Sequence, residues 1–387
     1  MKKFFKVFAV VMAAVSLLVA AGCSKKGGAE SDTIRIGVFE PLTGANAGGG
    51  AIELEGIRLA NKLYPEVTVG GKTYKVELVI ADNKSDKVEA ANAVQRLISS
   101  DKVTLILGSW GSSLSIAGGE VAKDAGIPVI GLSCTNPLVT AGNDWYFRVC
   151  FIDPFQGTVM ANYAYNDIGA RNAVIVREIS NDYSVGLAKF FTDKFIELTG
   201  DPGAILTTID YNTGDQDFSA QLTQVKSLNA DVVFAPGNFT ESALVIQQAR
   251  NLGLDVPFIG GDTWETPEFV DVGSDRVEGA VFSSFYDSSV AANAAAETFL
   301  TEYKAEYGKD PAAVTALGFD GYLLALDAIK RAGSTDPAAI RDAIAVTSGF
   351  EGATGVVTLD ENGDATKSAF IKEVQAGKFV FRTIVAP

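Results

Sequence analysis

The sequence predicts an α/β protein built from two doubly wound parallel-sheet lobes that are joined by three hinge crossings. Three observations support this prediction. The chain has 387 residues, which is more than a single hydrophobic core usually serves. From residue 33 onward, short apolar runs alternate with amphipathic runs of helical period, in two successive series. Alternating strands and helices build parallel sheets with helices on both faces.

The first series predicts lobe 1. Its apolar runs indicate strands at 34–40, 74–81, 104–108 and 128–132. The segments between them indicate helices at 51–63, 87–99 and 112–125. The helical spacing is clear in 87–99, where the apolar residues are Val88, Ala91, Val94, Leu97 and Ile98.

The second series predicts lobe 2, with strands at 173–179, 205–211, 232–235 and 258–260 and helices at 184–198, 218–228 and 240–252. Extended segments at 145–154 and 280–286, and a third near 352–356, are expected to cross between the lobes. Helices at 292–307 and 314–331 should return to lobe 1, and a hairpin around the turn sequence DENGD should complete lobe 2. The predicted division is 33–150 and 285–352 for lobe 1, and 151–284 and 353–387 for lobe 2.

The N-terminal residues are typical of an export signal. A basic start, MKK, is followed by an apolar run and by small residues before Cys23. We expect residues 1–22 to be a signal peptide, Cys23 to be lipidated, and residues 23–32 to form a flexible tether. Cleavage of an ordinary signal after Ala21 is the alternative. The expected location is the periplasmic or otherwise extracytoplasmic face of the cell membrane, held there by the lipid.

The composition excludes several functions. The formal net charge is −15, whereas nucleic acid binding requires a basic face. The chain contains no histidine, which excludes Ser-His-Asp and Cys-His catalysis and imidazole-ligated zinc. We therefore expect neither an enzyme nor a metal or other cofactor. Beyond Cys23 the cysteines are Cys134 and Cys150, which either form a disulfide or remain two buried thiols.

Hydroxyl side chains follow two neighbouring strands of lobe 1, at the point where each strand ends. Ser112 and Ser113 open a predicted helix after the strand LILG, and Ser133 and Thr135 follow the strand PVIGL. Free amides and hydroxyls at a helix N-terminus suit a carboxylate. Ordinary N-capping explains the first pair equally well. The second pair favours a small recognition surface at the strand ends.

Six ordered motifs now carry a resemblance across the mature chain. They are IRIGVFEPLTG, GSWGSS, GIPVIGLSCTNPLVT, YFRVC with DPFQG, NDYSVGLAK and ALVIQQARNLGLDVPFIGGD. Together they resemble the type I periplasmic binding proteins, and within them the branched-chain amino-acid (Leu/Ile/Val) binding family of ABC importers. The resemblance implies a Venus-flytrap in which two lobes close over a ligand.

The resemblance also implies roles for individual residues. Ser112 matches the serine that holds the ligand carboxylate, and Ser133 matches the position whose carbonyl accepts from the ligand ammonium. Thr135 matches a threonine that contacts both ends of the ligand. Tyr183 matches a tyrosine that reaches in from lobe 2, and Asp262 an acid that pairs with the ammonium. A structural tyrosine and a helix cap are the alternatives for these last two residues.

The sequence departs from the family at the side-chain end of the expected site. Gly49 stands where branched-chain binders can have a tyrosine. Asn238 and Phe239 lie in a loop where the family has tyrosines, and Trp110 stands at an apolar pocket position, or packs as core. The expected ligand-binding residues are therefore Trp110, Ser112, Ser113, Ser133, Thr135, Tyr183, Asn238 and Asp262.

The expected function is capture of a small amino acid, branched-chain or otherwise hydrophobic or small, and its delivery to ABC transporter permease subunits by a monomeric protein. An amide, a short peptide or an aromatic acid remain alternative ligands. A sensor that reports to a membrane receptor remains an alternative role, because it would share every residue of the pocket.

Overall fold

The computed structural model describes residues 32–290 and 293–387. The predicted signal peptide, Cys23 and the tether up to residue 31 lie outside the described residues. The strands form two sheets and a small hairpin. In chain order these are β1 (Thr33–Glu40), β2 (Glu66–Val69), β3 (Lys72–Asp82), β4 (Leu105–Leu107), β5 (Val129–Gly131), β6 (Tyr146–Arg148), β7 (Ala173–Glu178), β8 (Ile205–Tyr211), β9 (Val232–Phe234), β10 (Phe258–Gly260), β11 (Val281–Ser284), β12 (Phe350–Gly352), β13 (Gly355–Val357), β14 (Ala369–Gln375) and β15 (Lys378–Val385).

The α-helices of the described chain connect these strands. They are α1 (Ala47–Leu63), α2 (Lys87–Ser99), α3 (Ser112–Ala125), α4 (Asp153–Asn162), α5 (Asp182–Thr199), α6 (Ser219–Leu228), α7 (Phe239–Asn251), α8 (Pro267–Gly273), α9 (Ala294–Tyr307), α10 (Ala313–Ala332) and α11 (Pro337–Ala345). None of these helices is long and apolar enough to cross a bilayer.

Each lobe has its own sheet. Lobe 1 contains six strands in the order β2-β3-β1-β4-β5-β6, and lobe 2 contains seven in the order β15-β14-β11-β10-β9-β7-β8. The pairs from β1 through β4 and β5 to β6 are parallel, as are those that link β8, β7, β9, β10 and β11. In both sheets the chain order reverses near the middle, which opens a crevice at the carboxyl ends of the strands.

The chain passes between the lobes three times. It leaves lobe 1 between β6 and α4, returns after β11 to α9 and α10, and crosses again between β13 and β14. Helix α10 packs on α1 so closely that a Cβ at Gly56 would lie 1.8 Å from the Thr315 carbonyl oxygen. This glycine contact lets the returning helices join the core of lobe 1.

The structure corrects one detail of the sequence interpretation and decides between two alternatives that the sequence left open. The segment 145–154 does not cross between the lobes over its whole length, because Tyr146–Arg148 forms the sixth strand of the lobe 1 sheet and Asp153 begins a helix. Cys134 and Cys150 are both buried free thiols, so the disulfide alternative is not formed. The predicted lobe boundaries remain a prediction in their details.

Candidate functional site

A small cavity lies between the two lobes, and every residue that lines it follows the carboxyl end of a strand. Strands β4 and β5 supply the lobe 1 wall, and β7, β9 and β10 supply the lobe 2 wall. The lining residues are Trp110, Gly111, Ser112, Ser133, Asn181, Tyr183, Asn238, Asp262 and Thr263.

The start of α3 presents free backbone amides to the cavity. Gly111 precedes the helix with φ of 90°, and no side chain caps the helix. The amides of Ser112 and Ser113 have no acceptor among the described residues. The Ser112 hydroxyl accepts a hydrogen bond from the Asn136 amide at 3.1 Å, which leaves its own proton available to a ligand. Such a helix start binds a carboxylate well.

Lobe 2 presents a carboxylate to the same cavity. Asp262 is almost fully buried, and its Oδ1 accepts from Gln156 Nε2 at 2.6 Å and from the Tyr183 hydroxyl at 3.0 Å. Both of these donors bond to Oδ1. Among the described residues, no second residue donates a hydrogen bond to Oδ2. Burial raises the pKa of Asp262 to about 6, although the hydrogen bonds from Gln156 and Tyr183 act to lower it. An ammonium group in the cavity would provide the counter-charge that Asp262 lacks.

Two further acidic side chains lie buried near the cavity. Glu40 and Glu53 are fully buried, and Glu40 Oε2 accepts from the Trp110 amide at 2.7 Å. Burial raises the pKa of Glu40 well above its usual range, and the neighbouring Glu53 raises it further. Burial also raises the pKa of Glu53, to about 8. At neutral pH the pair therefore retains a proton, which keeps a second full negative charge out of the lobe 1 wall.

Two of the predicted residues do not line the cavity. The Ser113 hydroxyl contacts Asp182 of lobe 2, as donor to Oδ2 at 2.7 Å and as acceptor from the amide at 2.9 Å. Thr135 is fully buried, and its hydroxyl lies near the carboxyl group of Asp153, whose pKa burial raises well above its usual range. Neither the Thr135 hydroxyl nor the Asp153 carboxylate has a hydrogen-bond partner in the described chain. Ligand binding by Ser113 and Thr135 stays a prediction.

Direct contacts join the lobes beside the cavity. Asp182 accepts from Lys87 Nζ at 2.8 Å, and its carbonyl accepts from Asn136 Nδ2 at 2.7 Å. On another side, Asn238 Nδ2 donates to Asn46 Oδ1 at 3.0 Å. These contacts between lobes identify the structure as a closed arrangement of the cleft.

The residues that line the cavity overlap only in part with the residues predicted from the sequence. Of the eight predicted residues, the cavity brings together Trp110, Ser112, Ser133, Tyr183, Asn238 and Asp262. The sequence prediction did not include Gly111, Asn181 and Thr263, which also line the cavity. It also did not include Gln156, which donates a hydrogen bond to Asp262. Each of these four stands within or directly beside a family motif or strand end, which was the available signal.

Comparison with known proteins identifies the family of this chain. A family model described as periplasmic binding protein matches residues 33–378. The chain belongs to the type I periplasmic binding proteins of the branched-chain amino-acid family. This family binds solutes and is not enzymatic, and its members serve ABC transporters outside the cytoplasm.

Individual relatives share most of their length with this chain. A Leu/Ile/Val-binding protein homolog 1 of Brucella abortus is 29% identical over 348 residues, which cover 89% of this chain and 91% of the relative. The crystal structure of the leucine-binding protein LivK of Thermotoga maritima has a TM-score of 0.87 at 42% identity and covers 92% of this chain and 99% of its own. The branched-chain amino-acid transporter substrate-binding protein LivJ of Streptococcus pneumoniae, solved with isoleucine, has a TM-score of 0.84 at 32% identity and covers 92% of this chain and 100% of its own.

Proposed function

We propose that this protein captures a small α-amino acid in the cavity between its lobes and delivers it to the permease subunits of an ABC importer. The proposal rests on one observation: a free helix start and a carboxylate without a cationic partner face the same small cavity from opposite lobes. An amino-acid zwitterion supplies a carboxylate for the amides of Ser112 and Ser113 and an ammonium group for Asp262. A monocarboxylic acid or a simple amide would leave Asp262 buried without a cation.

Contacts with both lobes explain how the ligand would drive closure. Ser112 belongs to lobe 1 and Asp262 to lobe 2, so a ligand bound to both favours the closed arrangement. We expect the direct contacts of Asp182 with Ser113, Lys87 and Asn136 to form only in that arrangement. A closed protein offers a permease a surface that differs from the open one, which allows delivery to depend on ligand.

The proposal includes an anchor at the membrane. Cys23 would carry lipid and residues 24–32 would tether the lobes outside the cytoplasm. Stable anchoring needs more than one acyl chain. The native protein should partition with membranes, and Cys23→Ala should release it into the soluble fraction. A native protein that is soluble and retains an unmodified Cys23 would remove this part of the proposal.

The decisive experiment compares ligands that differ only at the ammonium group. Isothermal titration calorimetry would measure binding of alanine, serine, threonine, valine, leucine and isoleucine, each against the corresponding 2-hydroxy acid. We expect the amino acids to bind and the hydroxy acids to bind far more weakly. Truncating one side of a buried ion pair costs about 2–5 kcal/mol, so Asp262→Ala should nearly abolish amino-acid binding.

A matched control separates the ligand contact from a general effect of charge. Asp275 is on the same lobe and its side chain is 83% exposed, so Asp275→Ala should bind as the parent does. Hydroxy acids that bind as tightly as amino acids, or an Asp262→Ala variant with the parent affinity, would overturn the proposed ligand class. Small-angle scattering at saturating ligand should show a smaller radius of gyration than without ligand.

A further inference from the structure

The Trp110 indole occupies space at the cavity that a larger ligand side chain would need. Trp110 follows β4, is about 1% exposed, and lines the cavity. Its ring covers Gly49 of α1 so closely that a Cβ at Gly49 would lie 2.4 Å from ring atoms Cδ2 and Cε2. The absence of a side chain at Gly49 is therefore what gives the indole its position.

Two ring contacts and one backbone hydrogen bond fix Trp110 in this position. The Trp110 amide donates to Glu40 Oε2 at 2.7 Å, and Gly49 supports the ring from below. From lobe 2, the Phe239 ring meets the indole edge to face, with the ring centroids 6.3 Å apart. A side chain held from three directions resists displacement by a ligand, since forcing it aside strains a packed core.

Within the described chain, the rest of the cavity wall contains no alanine, valine, leucine, isoleucine or methionine side chain against which a long aliphatic ligand would pack. Apart from Trp110 and Gly111, every lining residue is polar. The Trp110 indole N–H and the Ser133 hydroxyl are buried without hydrogen-bond partners in the described chain. A hydrocarbon side chain leaves these two groups unsatisfied, whereas the hydroxyl of a hydroxymethyl group is able to bond to them.

We infer that Trp110, seated on Gly49, restricts the site to α-amino acids with short side chains, such as alanine, serine and threonine, and disfavours leucine and isoleucine. This inference rests on the proposed function, because it takes the amino-acid head group as given. Asn238 supports the restriction, since its hydrogen bond to Asn46 closes the cavity between the lobes.

The test is a ranking of ligands in the parent protein and in Trp110→Leu. In the parent, calorimetry should show alanine, serine or threonine binding more tightly than leucine and isoleucine. Each misfitting methylene changes discrimination by about 10- to 200-fold, so Trp110→Leu should gain at least about tenfold in the leucine-to-alanine affinity ratio. Trp145→Leu is the matched control, because Trp145 packs on Arg341 and does not line the cavity. It should keep the parent ranking.

The possible results separate this inference from the proposed function. Leucine or isoleucine binding most tightly to the parent would overturn the inference and leave the proposed function standing. No binding by any α-amino acid would overturn both. If Trp110→Leu fails to fold, the parent ranking alone decides, because it requires no variant.

Discussion

The hinge and the ligand cavity both contain buried charged side chains. The hinge charges have oppositely charged partners, whereas the cavity carboxylate has none among the described residues. At the hinge, the fully buried Arg148 donates to Asp364 at 2.6 Å and also to the Cys134 and Asn136 carbonyls and the Thr140 hydroxyl. At the cavity, Asp262 has two neutral donors and forms no ion pair among the described residues.

A second buried cation at the hinge, Lys372, is also ion-paired. Lys372 is about 5% exposed and contacts Glu265 at 2.8 Å and Asp287 at 3.2 Å. Burial acts to raise the pKa of Asp287, but the charge and hydrogen bond of Lys372 and the hydrogen bonds from Ser289 together lower it. The pKa of Asp262, by contrast, is raised. Charges with partners stabilise the connection between the lobes, whereas a charge without one is available to a ligand.

The largest expected effect is at the hinge, where Arg148→Met removes one partner of a buried ion pair. The change strands Asp364 and two carbonyl oxygens, so the free energy of unfolding should fall by about 3–5 kcal/mol. Urea denaturation would measure this. Arg96→Met is the matched control, because Arg96 is 58% exposed and 3.7 Å from Asp101. It should change stability by at most about 1 kcal/mol. Equal effects of the two substitutions would remove the contrast between hinge and surface.

Removing the buried charge at the cavity should change the free energy of unfolding in the opposite direction. The pKa of Asp262 is about 6 in the fold, above its unfolded value of about 3.9. A raised carboxyl pKa means that stability is lost as pH rises from about 4 to 6. Without ligand, Asp262→Asn should therefore be more stable than the parent above pH 6, by up to about 3 kcal/mol, and equal below pH 4. Denaturation at a series of pH values would check this, and a less stable variant at pH 7 would contradict it.

Ligand affinity should depend on pH through the ionisation of the same carboxyl group, Asp262. The ammonium requires the charged form of Asp262, which is complete above about pH 7 and is lost as pH falls through about 6. Affinity should therefore weaken by up to about tenfold per pH unit below that value. Calorimetry from pH 5 to pH 8 would measure it. A flat profile would show that no charged Asp262 is needed.

A smaller effect is expected for Ser112→Ala. The variant loses a hydroxyl that accepts from the Asn136 amide, but the free amides at the start of α3 remain. We expect a loss of about 0.5–1.5 kcal/mol in ligand affinity, well below that of Asp262→Ala. Calorimetry on both variants gives the comparison. A Ser112→Ala loss as large as that of Asp262→Ala would show that the hydroxyl, and not the helix start, holds the carboxylate.

The smallest effect is expected for the exposed contact between lobes. Lys87 is 52% exposed where it meets Asp182, so solvent screens most of the attraction. Lys87→Met should weaken ligand binding by less than about 1 kcal/mol, and the difference should shrink as salt is added. A larger loss that persists at high salt would mean that this pair, and not the ligand, controls closure.

Local patterns predicted much of the fold. The helices at 87–99 and 112–125 coincide with Lys87–Ser99 and Ser112–Ala125, because helical spacing and a clear strand-to-helix boundary define them. The segment 145–154 was misread in part, since nothing local distinguishes an extended crossing from an edge strand. Tyr146–Arg148 becomes a strand only because β5 lies beside it.

What the sequence determined by itself was the residue chemistry at the strand ends: serines after β4 and β5, a tyrosine after β7 and an aspartate after β10. Those positions follow from the order of elements, because the carboxyl ends of parallel strands share one edge of a sheet. Only the tertiary structure decided which side chains meet. It assigned Ser113 to Asp182 and Thr135 to the neighbourhood of Asp153, and it brought Gln156 to Asp262 across 106 residues. Such contacts depend on how two lobes close and on where a rigid neighbour such as Trp110 leaves space, and neither is encoded in any local stretch of the chain.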